Sequence, residues 1–199
     1  MTRPLRIAVC GGTFDPFHRG HLDPVLAVRD RMEWDRVIYV PAWRQPFKLE
    51  HDTVSGYHRF AMAVLATREY DVVFVSPIEL ERGGTSYSVE TLEALHEMYP
   101  MAGLDWIIGD DNVTQLGQWK RIERVLQLAR FVVLTRTGGE TIPSAVRRDR
   151  IVFAENNTVP VSSTEIRSRV RAGEPIDGLV DPLVSRYIQH YGLYKEALT

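Results

Sequence analysis

One cysteine, almost no net charge and no long apolar run are the absences that first constrain this chain of 199 residues. A lone Cys10 rules out an internal disulfide and fits a reducing compartment. The net charge of −2 gives no reason to expect a nucleic-acid or membrane-surface partner. No apolar run approaches the length of a membrane span, and the N-terminus lacks the apolar core of a signal peptide. The composition therefore predicts a cytoplasmic protein.

Two common nucleotide-binding motifs are also missing from the sequence. Without a Gly-x-x-x-x-Gly-Lys-Ser/Thr segment the chain is not a P-loop NTPase. Without a Gly-x-Gly-x-x-Gly segment before a helix, it lacks the ordinary dinucleotide-binding fingerprint. The length predicts a single domain over residues 1–199, large enough to bury a substantial core.

Strand and helix patterns alternate along the chain. The predicted strands are residues 5–10, 36–40, 72–75, 104–108, 131–134 and 151–154. The predicted helices are residues 22–32, 56–67, 88–98, 122–128, 162–172 and 183–190. This alternation predicts an α/β fold with a Rossmann-like, doubly wound parallel sheet. Because residues 72–75 are all apolar, we expect that strand to be buried on both faces.

The first predicted strand leads directly into a segment rich in glycine and histidine, residues 11–22. Gly11 and Gly12 let a ligand approach the backbone without a Cβ in the way. His18 and His21 are three residues apart, so they share one face of the first helical turn. The free N–H groups and positive dipole end of that turn favour a phosphate. We interpret the segment as a nucleotide site for nucleotidyl transfer, against the alternative of a glycine-rich turn with incidental histidines.

Ligands on a doubly wound sheet bind beyond the carboxyl ends of its strands, which directs attention to the loops there. The loop after the second predicted strand carries Lys48, which could reach a polyphosphate or be a solvated surface lysine. Arg59 follows in the next helix, and a structural ion pair explains it equally well. Before the helix at 88–98, hydroxyl side chains and free N–H groups suit a carboxylate or phosphate, or a simple N-cap by Ser86 or Ser88.

A further segment, Gly109 to Trp119, follows the fourth predicted strand. Gly109 permits close ligand approach, and a carboxylate just beyond it, at Asp110 or Asp111, can accept hydrogen bonds from ribose hydroxyls. A paired-carboxylate metal site is the competing interpretation of the two aspartates. Trp119 fits the core on sequence alone, although a flat aromatic ring could also stack on a pyridine.

The last segment is Val161-Ser162-Ser163-Thr164-Glu165-Ile166-Arg167. Ser162 or Ser163 begins a helix and presents hydroxyl and N–H groups to an anion. Arg167 lies one turn further and can donate from the same side. A capping box with a surface arginine is the alternative interpretation.

Five segments, taken in chain order, resemble the motifs of the nucleotidyltransferase α/β-phosphodiesterase superfamily, and in particular of the bacterial nicotinate-nucleotide adenylyltransferases: residues 11–22, 46–48, 83–92, 107–119 and 161–167. The resemblance covers residues 11–194, with two mild departures: Ser88 stands where the family has threonine, and Val161 replaces isoleucine. It assigns the ribose-binding carboxylate to Asp111 and leaves Asp110 without a role. Residues 137–157 contain no motif that we recognise.

The resemblance implies adenylyl transfer from ATP to nicotinate mononucleotide, giving deamido-NAD and pyrophosphate. It implies an ATP site formed by Gly11, Gly12, Thr13, Phe14, His18, His21, Gly109, Asp111, Ser162, Ser163, Thr164 and Arg167. It implies a mononucleotide site formed by Thr13, Lys48, Ser86, Tyr87, Ser88 and Trp119. The catalytic residues would be His18, His21, Lys48 and Arg167. Mg²⁺ would accompany ATP, held mainly by phosphates rather than by a protein metal site.

Alternatives to this function stay open at the level of sequence. The same chemistry could act on nicotinamide mononucleotide or on pantetheine phosphate. A non-catalytic nucleotide-binding module is the alternative from a different class; it would bind ATP without releasing pyrophosphate. A homo-oligomer is also open, since nothing in the sequence sets the oligomeric state.

Overall fold

Strands and helices alternate in the computed structural model, which describes residues 3–46, 53–135, 142, 146–156 and 160–195. The strands are β1 (Arg6–Gly12), β2 (Arg36–Pro41), β3 (Val73–Val75), β4 (Gly103–Gly109), β5 (Ala129–Thr135) and β6 (Ile151–Glu155). The α-helices are α1 (Arg19–Arg29), α2 (Gly56–Thr67), α3 (Ile78–Arg82), α4 (Ser88–Met98), α5 (Ile122–Leu128), α6 (Ser163–Ala172) and α7 (Pro182–Tyr191). Short 3₁₀ helices occupy Asp110–Gln118 and Arg148–Arg150.

The strands form one parallel sheet in the order β3-β2-β1-β4-β5-β6. Side chains alternate between its faces, so Ala8 and Cys10 join one core while Ile7 and Val9 join the other. Helices α1, α2, α6 and α7 cover the first face, and α4 and α5 cover the second. The predicted α/β fold with a doubly wound parallel sheet is confirmed.

The expectation that the third strand is buried on both faces is wrong. Within the described residues β3 pairs only with β2, so it forms an edge of the sheet. Its central residue, Phe74, is 45% exposed and lies 5.2 Å from the guanidinium carbon of Arg36, measured to the ring centroid. An apolar run alone does not distinguish a short edge strand from a central one.

Two helices also differ from prediction. Helix α1 begins three residues earlier than expected, because His18 acts as its N-cap in extended conformation. Helix α3 is not among the predicted helices, and it ends at Gly83, whose φ of 68° is left-handed and suits glycine.

The order of the strands places a crevice between β1 and β4, since the chain leaves β1 toward the first face of the sheet and β4 toward the second. The carboxyl ends of the strands open into it. No helix in the described ranges is both long and apolar enough to cross a membrane. The single-domain organisation of residues 1–199 stays a prediction.

Candidate functional site

A cavity of about 1960 Å³ lies at the carboxyl edge of the sheet. Binding sites for one small molecule commonly measure about 300–1000 Å³, so there is room for two nucleotides. Every predicted site residue in the described part of the chain lines this cavity: Gly11, Gly12, Thr13, Phe14, His18, His21, Ser86, Tyr87, Ser88, Gly109, Asp111, Trp119, Ser162, Ser163, Thr164 and Arg167. Lys48 lies outside the described residues.

The two histidines form one stacked pair at the start of α1. Their ring centroids are 3.7 Å apart with an interplanar angle of 23°. The backbone N–H of His18 donates to Nδ1 of His21 at 3.2 Å. Because Nδ1 accepts this bond, a neutral His21 carries its proton on Nε2. Nε2 is therefore the N–H donor of the neutral ring.

An aromatic cluster fixes the ring of His21. Phe14 packs edge-on against it with centroids 4.9 Å apart, and Phe17 lies at 5.4 Å. Tyr39 donates from its hydroxyl to the carbonyl oxygen of His21 at 2.9 Å. Phe14 has a left-handed φ of 55°, a conformation that non-glycine residues adopt mainly where surrounding contacts enforce it. Tyr39 was not predicted, because in the sequence it is only one more apolar residue of β2.

His18 is buried, and its Nδ1 has no hydrogen-bond partner among the described residues. Burial lowers the pKa of its imidazole to about 4. The side chain is therefore neutral near pH 7 and can donate only one N–H. An anionic ligand beside it would favour the protonated form and raise that pKa.

This buried imidazole predicts a measurable loss of stability in acid. The unfolded chain titrates His18 near pH 6.5 and the folded chain near pH 4, so the unfolded state binds more protons between them. The free energy of unfolding should fall by about 3 kcal/mol over that interval because of His18 alone. Urea unfolding of wild type and His18→Gln across this pH range measures the difference. Parallel pH profiles for the two proteins would contradict a buried neutral imidazole.

The start of α6 is fastened to the loop that follows β1. Ser163 donates from its hydroxyl to the carbonyl of Pro16 at 3.0 Å, and Arg167 Nη1 donates to the carbonyl of Asp15 at 2.7 Å. Ser162 Oγ accepts from the N–H of Glu165, so the predicted cap is present as well. The N-termini of α1 and α6 therefore line the same cavity, and both favour an anion there.

Arg59 is 1% exposed and holds three loop segments through backbone carbonyls. Its guanidinium donates to Thr13 and Ala42 at 2.6 Å each, and to Val54 at 3.1 Å. Asp15 lies close to this cation and accepts from the Tyr194 hydroxyl at 2.7 Å, although burial still raises its pKa. Arg59 therefore shapes the cavity by holding loops together.

Ser86 joins two loops at the other end of the cavity. Its Oγ accepts from the N–H of Trp43 at 2.9 Å, and its N–H donates to the carbonyl of Arg44 at 2.8 Å. Glu79 is buried beside it and also accepts from the Thr91 hydroxyl; burial raises the pKa of the Glu79 carboxyl. Glu79 was not predicted, because an acidic residue in a polar segment is typical of a solvated surface.

The next wall of the cavity contains Trp119 and Gly109. Trp119 is half-buried and packs edge-on against Trp106 and Phe131, with centroids 6.4 and 5.6 Å away. It therefore contributes to the core and to the cavity at once. A Cβ on Gly109 would lie 2.6 Å from Oδ1 of Asp111, so glycine leaves room for that carboxylate. Within the described chain, no cluster of three or more His, Cys, Asp or Glu could hold a metal ion.

Three buried polar atoms in this cavity have no hydrogen-bond partner within the described residues: Thr13 Oγ1, His18 Nδ1 and Asn156 Oδ1. Buried polar groups in native proteins are almost always satisfied by protein, water or ligand. A polar ligand that binds in the cavity would explain why these three atoms lack partners in the same place. Asn156 was not predicted, although it directly follows the last strand of the sheet.

Comparison with known proteins identifies the family of this chain. Residues 9–169 match the family described as Cytidylyltransferase-like, a class of nucleotidyltransferases. A Thermoanaerobacter sp. (strain X514) protein named "Probable nicotinate-nucleotide adenylyltransferase" is 38% identical, covering 98% of this chain and 97% of its own. A Tropheryma whipplei (strain Twist) protein of the same name is 40% identical, covering 93% and 97%.

A solved structure extends the comparison to the fold. The Plasmodium falciparum nicotinic acid mononucleotide adenylyltransferase complexed with NaAD superposes with a TM-score of 0.78. It is 18% identical and covers 98% of this chain and all of that one. The chain belongs to the cytidylyltransferase-like family and, within it, to the nicotinate-nucleotide adenylyltransferases.

Proposed function

We propose that this protein transfers the adenylyl group of ATP to nicotinate mononucleotide, forming deamido-NAD and pyrophosphate. The observation that carries the proposal is a full-length relationship at 36–40% identity to proteins that are named for this reaction. The cavity supports it independently, because it has room for two nucleotides and receives two helix N-termini.

The chemistry is a displacement at phosphorus. A phosphate oxygen of the mononucleotide forms a bond to the α-phosphorus of ATP. The bond from that phosphorus to the bridging oxygen of the β-phosphate breaks, and pyrophosphate leaves with the electron pair. A phosphate that is ionised at neutral pH needs no general base, and no covalent enzyme intermediate is required. Catalysis then consists of positioning and of stabilising charge on phosphate oxygens.

On the ATP side, His18 and His21 donate hydrogen bonds to the reacting phosphates. Arg167 and the N–H groups of Ser162, Ser163 and Thr164 neutralise the β- and γ-phosphates. Lys48, which lies outside the described residues, stays a predicted contact to these phosphates. Arg167 is suited to this because the Asp15 carbonyl already orients its guanidinium. Gly11, Gly12 and Phe14 shape the loop beneath the phosphates, while Gly109 leaves space for Asp111 to accept from ribose hydroxyls.

On the acceptor side, the pyridine ring lies against Trp119, whose ring is held by its two aromatic neighbours. The residues from Ser86 to Ser88 bound the same end of the cavity, and Thr13 lies between the two substrates. The Ser86 hydroxyl accepts from the N–H of Trp43 and donates to the buried Glu79 carboxylate, so its donor is already used. Its contribution to a carboxylate ligand is therefore mainly to hold the backbone N–H groups of this segment in place.

Mg²⁺ is the metal that we expect to accompany ATP. The cavity fits it, because the exposed carboxylate of Asp110 lines the cavity and Mg²⁺ prefers oxygen ligands and water. When bound, the ion would neutralise charge on the phosphate oxygens. The substrate phosphates and water would supply most of its ligands, and Asp110 is the carboxylate that would hold it from the protein side. The cytoplasmic location, a homo-oligomer and the lack of a nucleic-acid partner stay predictions from sequence.

The acceptor is tested by pyrophosphate release with ATP, Mg²⁺ and one of three acceptors: nicotinate mononucleotide, nicotinamide mononucleotide or pantetheine phosphate. A charged hydrogen bond to the pyridine carboxylate predicts a kcat/KM roughly 10- to 100-fold higher for the acid than for the amide. A reaction without acceptor is the control. Equal kcat/KM values for the acid and the amide would contradict the specificity. Pyrophosphate release only with pantetheine phosphate would reassign the acceptor. No pyrophosphate release with any acceptor would indicate a non-catalytic module.

A further inference from the structure

Asn156 is a buried amide at the edge of the cavity that faces β6. It directly follows that strand, and its N–H donates to the carbonyl of Thr135 at 3.1 Å, which extends the pairing of β5 and β6. The residue is only 9% exposed, yet it lines the cavity. A buried amide at a strand end is costly unless its polar atoms are satisfied.

The orientation of this amide is fixed by one neighbour. Its Nδ2 donates to the carbonyl of Ala154 at 3.4 Å. The flipped amide would place oxygen against oxygen there, so the atom left without a partner is the acceptor Oδ1. No described residue offers it a donor. A hydrogen-bond donor that enters the cavity would satisfy this oxygen.

The surroundings of Oδ1 suit a flat heterocycle. The phosphate-binding helix ends lie near β1, and Gly109 and Asp111 follow β4. Since β5 and β6 come next in the sheet, a nucleotide extended along this edge brings its base toward them. The lining there includes the apolar side chains of Leu134 and Val161. An apolar wall with one placed polar atom is the usual character of a base pocket.

We propose that Oδ1 of Asn156 accepts a hydrogen bond from the exocyclic amino group of adenine and thereby selects ATP over 6-oxopurine nucleotides. An asparagine amide matches adenine because the base offers an N–H donor at N6. Guanine and hypoxanthine carry an oxygen at that position, which would face the Asn156 oxygen. This inference rests on the proposed function, because it requires ATP in this cavity.

The test compares ATP with ITP, which differs at the purine 6-position, and with purine riboside triphosphate, which has no substituent there. Wild-type protein should prefer ATP over both by roughly 10- to 100-fold in kcat/KM. In Asn156→Leu this preference should fall to about threefold or less, mainly because kcat/KM for ATP decreases. The KM for nicotinate mononucleotide should stay within about twofold, which a general loss of structure would not allow. Gln189→Leu, an exposed amide on α7, is the matched control and should keep the wild-type preference.

Either of two results would overturn the proposal. One is a wild-type protein that uses purine riboside triphosphate as well as ATP, a measurement that needs no variant to fold. The other is an unchanged ATP preference in folded Asn156→Leu. Calorimetric binding of ATP and ITP accompanies the kinetics. If no nucleotide supports turnover, the proposed function fails, while the ratio of the two dissociation constants still tests Asn156.

Discussion

Replacing His21 with alanine should lower kcat roughly 100- to 1000-fold, the usual loss when one preorganised donor to a developing negative charge is removed. The KM for ATP should change by no more than about threefold, because the contact strengthens mainly in the transition state. The structure supports so large an effect because Phe14, Phe17 and His18 hold the ring and Tyr39 holds its backbone carbonyl. Steady-state kinetics with ATP and the mononucleotide as varied substrates measure kcat and the two KM values separately.

The matched control for this experiment is His96→Ala, which removes an exposed histidine from α4. It should leave kcat and both KM values unchanged. The melting temperature of His21→Ala should stay close to that of wild type if the loss is chemical. A His21→Ala protein with near wild-type kcat would remove His21 from the mechanism, whatever its KM.

Replacing Asp105 with alanine should lower the free energy of unfolding by about 3 kcal/mol, the range found when a buried ion pair loses one partner. Asp105 is 4% exposed and accepts from Arg6, Arg130 and Trp34 at 2.7–2.9 Å. Alanine would leave these donors without their acceptor. Asp105 lies four residues before Gly109 on β4, about 13 Å along the strand, so kcat should not change while the protein is folded.

Urea denaturation measures this loss, and Asp149→Ala is its control. Asp149 also pairs with an arginine, Arg147, but the two side chains are 58% and 76% exposed. Removing such a surface pair should cost less than about 1 kcal/mol. Equal destabilisation by the two substitutions would contradict the structural role of Asp105. A selective loss of kcat in Asp105→Ala would mean that the strand transmits its effect to the site.

The sheet and the residues after its strands were largely predictable from sequence, because both follow from local patterns. Apolar runs separated by helical periods indicated the doubly wound sheet. The carboxyl-end rule then brought together residues as distant as His18 and Arg167, which the structure places around one cavity. Glycines and histidines at the end of a predicted strand indicate a phosphate-binding site from the local sequence alone, without knowledge of long-range contacts.

The supporting residues were less predictable, because their partners are distant in sequence. Arg59 binds carbonyls of Thr13 and Ala42, and Tyr39 binds the carbonyl of His21; backbone acceptors leave no mark in a sequence. Asn156 could have been found by applying the carboxyl-end rule to the last strand as well. The exposed face of β3 could not have been predicted from the sequence, since the edge position of a strand depends on the order of strands in the sheet.

The most direct test of the central claim is to incubate the protein with ATP, Mg²⁺ and nicotinate mononucleotide and to identify every product by mass spectrometry. Direct attack on the α-phosphorus predicts deamido-NAD and pyrophosphate in equal amounts, with no adenylylated protein at any time. Hydrolysis of ATP without a dinucleotide, or an adenylylated protein that forms before the dinucleotide, would contradict direct transfer between the two substrates.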